Sequence, residues 1–139
     1  MSARNETPAP PPPLDPMSEQ PAIRTVAMPA DTNPAGDIFG GWLMSQMDLA
    51  AGIVATRRAK GRTVTIAADR MTFLQPVFVG DEVSLFARLT QTGRTSMHIF
   101  VEAWRRPREG GELVKVTQAT FTYVAVDASR KSRPLPDVG

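Results

Sequence analysis

The spacing of apolar residues divides the chain into one long helix and a series of strands. From Gly41 to Arg58 or Lys60 the residues are apolar around nearly the whole circumference of a helix, and Gly61 suits a helix C-cap. Alternating and β-branched residues predict strands in the remainder of the domain. The five predicted strands cover residues 23–28, the two runs 63–67 and 71–74, and residues 83–90, 97–103 and 113–126.

Turn residues between the strands predict how the sheet is arranged. Thr92–Thr95 and Pro107–Gly111 have the composition of hairpin loops, and hairpins make neighbouring strands antiparallel. One helix cannot cover a flat sheet of five strands, so we expect the sheet to curl around it. The predicted fold is therefore α+β, a five-stranded antiparallel sheet wrapped around one long central helix.

Residues 1–21 differ in composition from the rest of the chain. They hold seven of the thirteen prolines, which is incompatible with a helix or a central strand. We predict a disordered or polyproline tail over residues 1–21 and one folded domain over residues 22–136. The tail does not resemble a signal peptide, and no apolar run reaches the ~18 residues of a membrane span, so we expect a cytoplasmic protein with no membrane partner.

Composition and charge narrow the possible chemistry. The chain has no Cys and one His, which excludes disulfides, thiol chemistry and Cys-based zinc sites, and we predict no metal site. A net charge of +2 and only 6% aromatic residues argue against a nucleic-acid partner. His98 lies within a predicted strand and is expected to be structural. Catalysis would then depend on carboxylates, hydroxyls, backbone amides and water.

Asp48 lies in the middle of the apolar helix, where a buried carboxylate without a partner would be costly. At about 100° per residue, its helix face carries mostly small residues, which leaves room for another subunit, a sheet or a slender ligand. These neighbours are Gly41, Met44, Ser45, Ala51, Gly52 and Ala55. Helix geometry leaves two interpretations open: a functional carboxylate, or one that only bonds a nearby backbone or hydroxyl group.

Gly40 and Gly41 open the same helix, whose first amides lack partners within the helix and carry partial positive charge. They could stabilise a developing oxyanion, although two glycines can equally serve a tight turn. Gly41 and Asp48 are about 10 Å apart along the axis, too far for one helix to serve one carbonyl easily with both groups. A site that uses both would be shared across a two-fold interface.

These residues resemble the hotdog-fold acyl-CoA thioesterases of the YciA type. The matching segments are Met28–Asn33, Gly36–Asp48, Val79–Asp81, Gly93–Ser96 and Phe121–Asp127, with shorter matches between them. The resemblance covers about residues 24–136. It implies a hotdog fold, a dimer with a continuous sheet, often assembled as a trimer of dimers, and hydrolysis of acyl-CoA to a free acid and CoA without a metal or organic cofactor.

The resemblance also implies roles for single residues. Asp48 matches the catalytic carboxylate, Asp37 matches an active-site position, and the amide of Gly41 would polarise the thioester carbonyl. Asn33 lies in the same matching block and is a further catalytic candidate. The carboxylate could activate water or attack directly to give an anhydride, and the sequence does not choose between these routes.

Several residues are candidates for binding CoA. They are Gly40, Thr65, Arg94, Thr95 and Ser96, with Arg57, Arg58 and the basic residues 130–133 as weaker candidates. The hairpin loop is favoured because Gly93 would add a backbone amide. Thr65 is either part of the channel for the pantetheine arm or a plain strand former. The main alternative function is a non-catalytic acyl-CoA-binding protein with the same fold.

Overall fold

The computed structural model describes residues 11–138 of the chain. The elements in chain order are β1 (Ile23–Val26), α1 (Gly40–Ala59), β2 (Thr63–Phe73), β3 (Asp81–Thr92), β4 (Ser96–Pro107) and β5 (Val114–Ala125). A short 3-10 turn at Pro29–Asp31 lies between β1 and α1. The predicted order of one strand, a long helix and four further strands is confirmed.

All five strands form one antiparallel sheet in the order β1-β3-β4-β5-β2. The strands β3, β4 and β5 are neighbours in both sequence and space, as the hairpin turns predicted. β2 instead pairs with β5, so the connection from β2 to β3 crosses the sheet and is not a hairpin. The two edges of the sheet are the 4-residue β1 and the 11-residue β2.

The predicted strands at residues 63–67 and 71–74 are parts of one strand, β2. Its pairing with β5 shifts register between Thr65 and Ala67 and again between Asp69 and Thr72. Arg70, inside the second irregularity, has a φ of 59°. Such bulges interrupt the alternation of side chains, which is why one strand reads as two runs in the sequence.

Helix α1 packs against β2, β3, β4 and β5, so the sheet wraps around it as predicted. Its buried residues are Leu43, Met47, Ala50, Ala51, Ala55 and Ala59. The alanines let the sheet approach the helix closely, while burying Leu43 or Met47 contributes roughly 1.5–3 kcal/mol each. Met44 and Leu49 remain 42% and 59% exposed, so the sheet of one chain does not cover the whole apolar circumference of the helix.

The observed C-cap of the helix is Lys60, one residue before the predicted cap Gly61. Lys60 adopts the left-handed conformation, with a φ of 53°, and its N–H donates to Thr56 O. Gly61 instead leaves room for Arg133, because a Cβ there would lie 2.7 Å from Nη2 of its guanidinium. That guanidinium donates to Ala59 O over 3.0 Å and thereby caps the helix C-terminus from the C-terminal segment of the chain.

Residues 1–10 of the predicted tail lie outside the described residues. In the described part, Arg88 of β3 donates to Pro12 O over 2.8 Å and forms an ion pair with Glu19 at 2.7 Å. The disorder of residues 1–21 stays a prediction. No helix within residues 11–138 combines the length and apolar character that crossing a bilayer requires.

Candidate active site

Asp48 faces β2 and β5 from the middle of α1, and two hydroxyl groups hold its carboxylate. Thr65 of β2 donates from Oγ1 to Asp48 Oδ1 over 2.8 Å. Tyr123 of β5 donates to the same carboxylate oxygen and also lies 2.7 Å from the backbone carbonyl oxygen of Asp48. None of the ion pairs found within residues 11–138 involves Asp48. The carboxylate is thus held by hydroxyls and not by a cation.

The side-chain hydrogen bonds to this carboxylate within the described residues all reach Oδ1. Oδ2 is therefore the oxygen that can meet water or a ligand. The two bonds satisfy the carboxylate, as the purely structural interpretation of Asp48 requires. They also fix its orientation, as a catalytic carboxylate requires.

Tyr123 is a neutral donor at this position. Its burial, followed by its hydrogen bond to Asp48, raises the pKa of the phenol above its ordinary value. The hydroxyl therefore keeps its proton at neutral pH. Sequence reasoning missed Tyr123, although the sequence held a signal. It is the only tyrosine of the chain, and it shares the inward face of β5 with Phe121 and Ala125, which lie two residues before and after it.

A cavity of about 600 Å³ lies beside the Asp48 carboxylate. Helix residues between Asp48 and Arg57 form one wall, and Thr63, Thr65 and Tyr123 form the other. Arg57, one of the weaker CoA candidates, also lines this cavity, which therefore has one basic and one acidic side chain, Arg57 and Asp48. The cavity can hold a polar ligand within reach of the carboxylate.

A second cavity, of about 320 Å³, lies at the N-terminus of α1. Phe39, Gly40 and Leu43 line it together with residues 73–77 and Val116. A Cβ at Gly40 would lie 3.4 Å from the Phe73 ring, whereas a Cβ at Gly41 would meet no heavy atom within 4 Å. The helix N-terminus is thus open at Gly41, and this cavity shares no lining residue with the cavity at Asp48.

Asn33 and Asp37 lie on the loop that leads into α1. The side-chain oxygen of Asn33 accepts from the amides of Ala35, over 2.9 Å, and Asp37, over 3.1 Å. The backbone amide of Asn33 donates to the backbone carbonyl oxygen of Asp37 over 2.7 Å. Asp37 is exposed, and neither residue lines the Asp48 cavity or the cavity at the helix N-terminus. Asn33 therefore shapes the loop, and Asp37 is presented to the outside of it.

Arg94, Thr95 and Ser96 lie where β3 turns into β4, outside both cavities. The argument that Gly93 offers a free amide there is wrong, because that amide donates to Ser96 O over 2.9 Å. The carbonyl oxygen of Arg94 accepts from Leu135 N over 2.8 Å, which ties the turn to the C-terminal segment.

Two further basic candidates have structural partners. Arg58 donates to Pro136 O over 2.7 Å, and Arg133 donates to Ala59 O and Val126 O. His98 has its Nδ1 3.3 Å from Thr122 Oγ1 and lines neither cavity. These contacts explain the positions of the Arg58, Arg133 and His98 side chains, and no bound ligand is needed to explain them.

Comparison with known proteins agrees with this geometry. The family model of the Thioesterase superfamily matches residues 35–112, a stretch that holds α1, β2, β3 and β4. The chain belongs to the thioesterase superfamily. Within this superfamily it is 53% identical over 117 residues to the acyl-CoA thioester hydrolase YciA of Escherichia coli, across 82% of this chain and 89% of that protein.

Another relative is an uncharacterised acyl-CoA thioester hydrolase of Zymomonas mobilis. It is 56% identical over 124 residues, across 89% of this chain and 83% of the relative. The resemblance to superfamily members of the YciA type is therefore confirmed.

Solved structures of the superfamily confirm the hotdog fold. The hexameric thioesterase y2039 from Yersinia pestis superimposes with a TM-score of 0.82 at 51% identity, across 87% of this chain and 98% of the other. Cj0915, a hexameric hotdog fold thioesterase of Campylobacter jejuni, gives 0.80 at 42% identity, across 85% and 91%.

Proposed function

We propose that this protein hydrolyses acyl-CoA thioesters to a free carboxylic acid and CoA. The observation that carries the proposal is the Asp48 carboxylate, which two neutral hydroxyls hold through Oδ1 at the wall of a cavity, with no hydrogen bond to Oδ2 from the described residues. Relatives named as acyl-CoA thioester hydrolases, at 53% and 56% identity, support the same reaction. CoA is part of the substrate and product, and the proposed reaction uses no metal or organic cofactor.

Two routes are chemically possible at Asp48. As a general base, Oδ2 takes a proton from water while the water oxygen attacks the thioester carbonyl carbon, after which the carbon–sulfur bond breaks and the CoA thiolate is protonated. As a nucleophile, Oδ2 attacks that carbon itself, CoA leaves as thiolate, and water then hydrolyses the anhydride. In both routes negative charge grows on the carbonyl oxygen, and the amides at the open N-terminus of α1 would stabilise it.

We propose that each site is completed by a second copy of the chain. Within one chain the Asp48 cavity lies against the first half of β2, at Thr63 and Thr65, and the helix N-terminal cavity lies against its end, at Phe73. If β2 pairs antiparallel with its own copy, the first half of one strand lies against the second half of the other. The carboxylate of one subunit would then lie beside the helix N-terminus of its partner.

The exposed edge of β2 supports this dimer with a continuous sheet. β2 is an 11-residue edge strand, and Ile66 within it is 60% exposed. A long apolar edge of this kind is a template for pairing with another strand. Since the related thioesterases of Yersinia pestis and Campylobacter jejuni are hexameric, we propose a trimer of such dimers.

The remaining assignments are also proposals. Asn33 and Asp37 would shape the entrance beside Gly40 and Gly41, from the loop that leads into the helix. Of the CoA candidates, Thr65 lines the Asp48 cavity and Gly40 lines the cavity at the helix N-terminus. The candidates Arg94, Thr95 and Ser96 would bind CoA only at the outer end of the substrate, since they lie outside both cavities. A cytoplasmic location stays a prediction.

Release of free thiol from a panel of acyl-CoAs by the full chain tests the proposed function. Asp48→Asn should abolish thiol release and leave binding of CoA itself largely intact. Glu112→Gln is the matched control, because it also converts a carboxylate to an amide but at an exposed position that lines neither cavity. Binding of acyl-CoA by the native protein without thiol release would favour the non-catalytic alternative.

A further inference from the structure

Tyr123 reaches Asp48 from a strand 75 residues further along the chain. Its single hydroxyl proton is shared between two acceptors of the same residue, the carboxylate Oδ1 and the backbone carbonyl oxygen. The phenol therefore connects the side chain of Asp48 to its own backbone. A carboxylate held in this way cannot rotate freely about its last side-chain bond.

Gly52, one helical turn beyond Asp48, keeps this position open for the hydroxyl. A Cβ at residue 52 would lie 3.3 Å from Tyr123 Oη and 3.8 Å from two ring carbons. Glycine is otherwise unfavourable inside a helix. The space that Gly52 leaves for the phenol is one observation, and the two hydrogen bonds of the phenol are another. Both concern the position of the Tyr123 hydroxyl.

We propose that Tyr123 is a positioning residue for Asp48, which holds Oδ1 together with Thr65 so that Oδ2 is the oxygen presented to the reaction. This inference rests on the proposed thioesterase function. The phenol itself exchanges no proton with the substrate. Burial and the neighbouring carboxylate raise the pKa of Tyr123 above its ordinary value, which keeps it a donor throughout the neutral range.

The proposal predicts a change in the pH dependence of activity. A hydrogen bond donated to a carboxylate stabilises its ionised form, so removal of the donor favours protonation. The titratable or charged side chains that line the Asp48 cavity are Arg57 from α1 and Tyr123 from β5, while β2 contributes only the hydroxyls of Thr63 and Thr65. Removal of the Tyr123 hydroxyl leaves the charge of Arg57 unchanged, so a shift would report the lost donor.

Tyr123→Phe, which keeps the ring, is the direct test. We expect kcat for acyl-CoA hydrolysis to fall about tenfold, KM to stay within about twofold, and the acid limb of the kcat/KM profile to move up by about one pH unit. Thr90→Val is the matched control, because it removes a hydroxyl that donates to His98 O over 3.1 Å and lies outside the cavity. It should leave the acid limb in place.

An unchanged acid limb in folded Tyr123→Phe would overturn the proposal, whether or not kcat falls, because a merely structural role lowers activity equally at every pH. Folding is checked by thermal unfolding. Gly52→Ala supplies a second test that retains the phenol, and its acid limb should move in the same direction by a smaller amount.

The Asp48→Asn variant separates this inference from the proposed function. Absence of thiol release by the native protein would remove both. Thiol release retained in Asp48→Asn would remove the catalytic role of Asp48 and with it the role of Tyr123, while the thioesterase function would stand. An inactive Asp48→Asn beside a Tyr123→Phe with a native acid limb would remove only the role of Tyr123.

Discussion

Replacing Gly52 with Ala should affect stability and activity in different ways. In the interior of a helix this change ordinarily stabilises a protein by about 1 kcal/mol. At this position the new methyl carbon would lie 3.3 Å from Tyr123 Oη, closer than an ordinary carbon–oxygen contact, and 3.8 Å from two ring carbons, which is ordinary contact. The hydroxyl oxygen must therefore move away by a few tenths of an ångström, and because it is bonded rigidly to the ring, the whole phenol shifts with it.

The size of the effect follows from that displacement. The bond from Tyr123 Oη to Asp48 O is 2.7 Å long, and a shift of a few tenths of an ångström would bring it to roughly 3.0 Å and weaken the bonds of the hydroxyl. A typical hydrogen bond contributes about 1 kcal/mol net, so its partial loss largely cancels the gain in helix propensity. We expect a free energy of unfolding within about 1 kcal/mol of the native value, with kcat about threefold lower.

A double-mutant cycle with Tyr123→Phe measures this effect. Thermal unfolding and thiol-release kinetics are compared for the native protein, the two single variants and the double variant. Without the phenol oxygen the methyl has no close contact, so Gly52→Ala should stabilise the Tyr123→Phe variant by about 1 kcal/mol and leave its kcat unchanged. Equal effects of Gly52→Ala in both backgrounds would refute the reasoning.

Three further predictions concern the rest of the fold. Arg133→Met removes two hydrogen bonds to the carbonyls of Ala59 and Val126, so it should lower the free energy of unfolding by about 1–2 kcal/mol in thermal unfolding with kcat retained; an unchanged Tm would contradict the capping role. Ile66→Lys puts a charge on the exposed edge of β2 and should shift the protein towards monomer in light scattering, with a proportional loss of thiol release; a fully active monomer would refute the shared site. Because the pKa of Tyr123 is raised, the stability that the neutral phenol contributes is complete below about pH 10, the pKa of an unperturbed tyrosine, and is lost as the pH rises further. The Tm of the native protein should therefore fall more steeply above this pH than the Tm of Tyr123→Phe.

Local features of the sequence were enough to predict the elements. The apolar run predicted the helix to within a residue or two of Gly40–Ala59, and the turn residues predicted the hairpins on either side of β4. Periodicity and turn chemistry act over a few residues, so they can be read without knowledge of the fold. The same reading located Asp48 as an unusual carboxylate and Gly40-Gly41 as an open helix start.

Tertiary structure decided which residues meet Asp48. Thr65 and Tyr123 lie 17 and 75 residues away, and only the pairing of β2 with β5 and their packing on α1 bring both hydroxyls to one oxygen. Long-range packing also placed the guanidinium of Arg133 at the helix end. Strand order and register depend on the whole set of side chains buried between the sheet and the helix. The sequence therefore determined the helix, the strands and the carboxylate, while the partners that orient the carboxylate follow only from how these elements pack together.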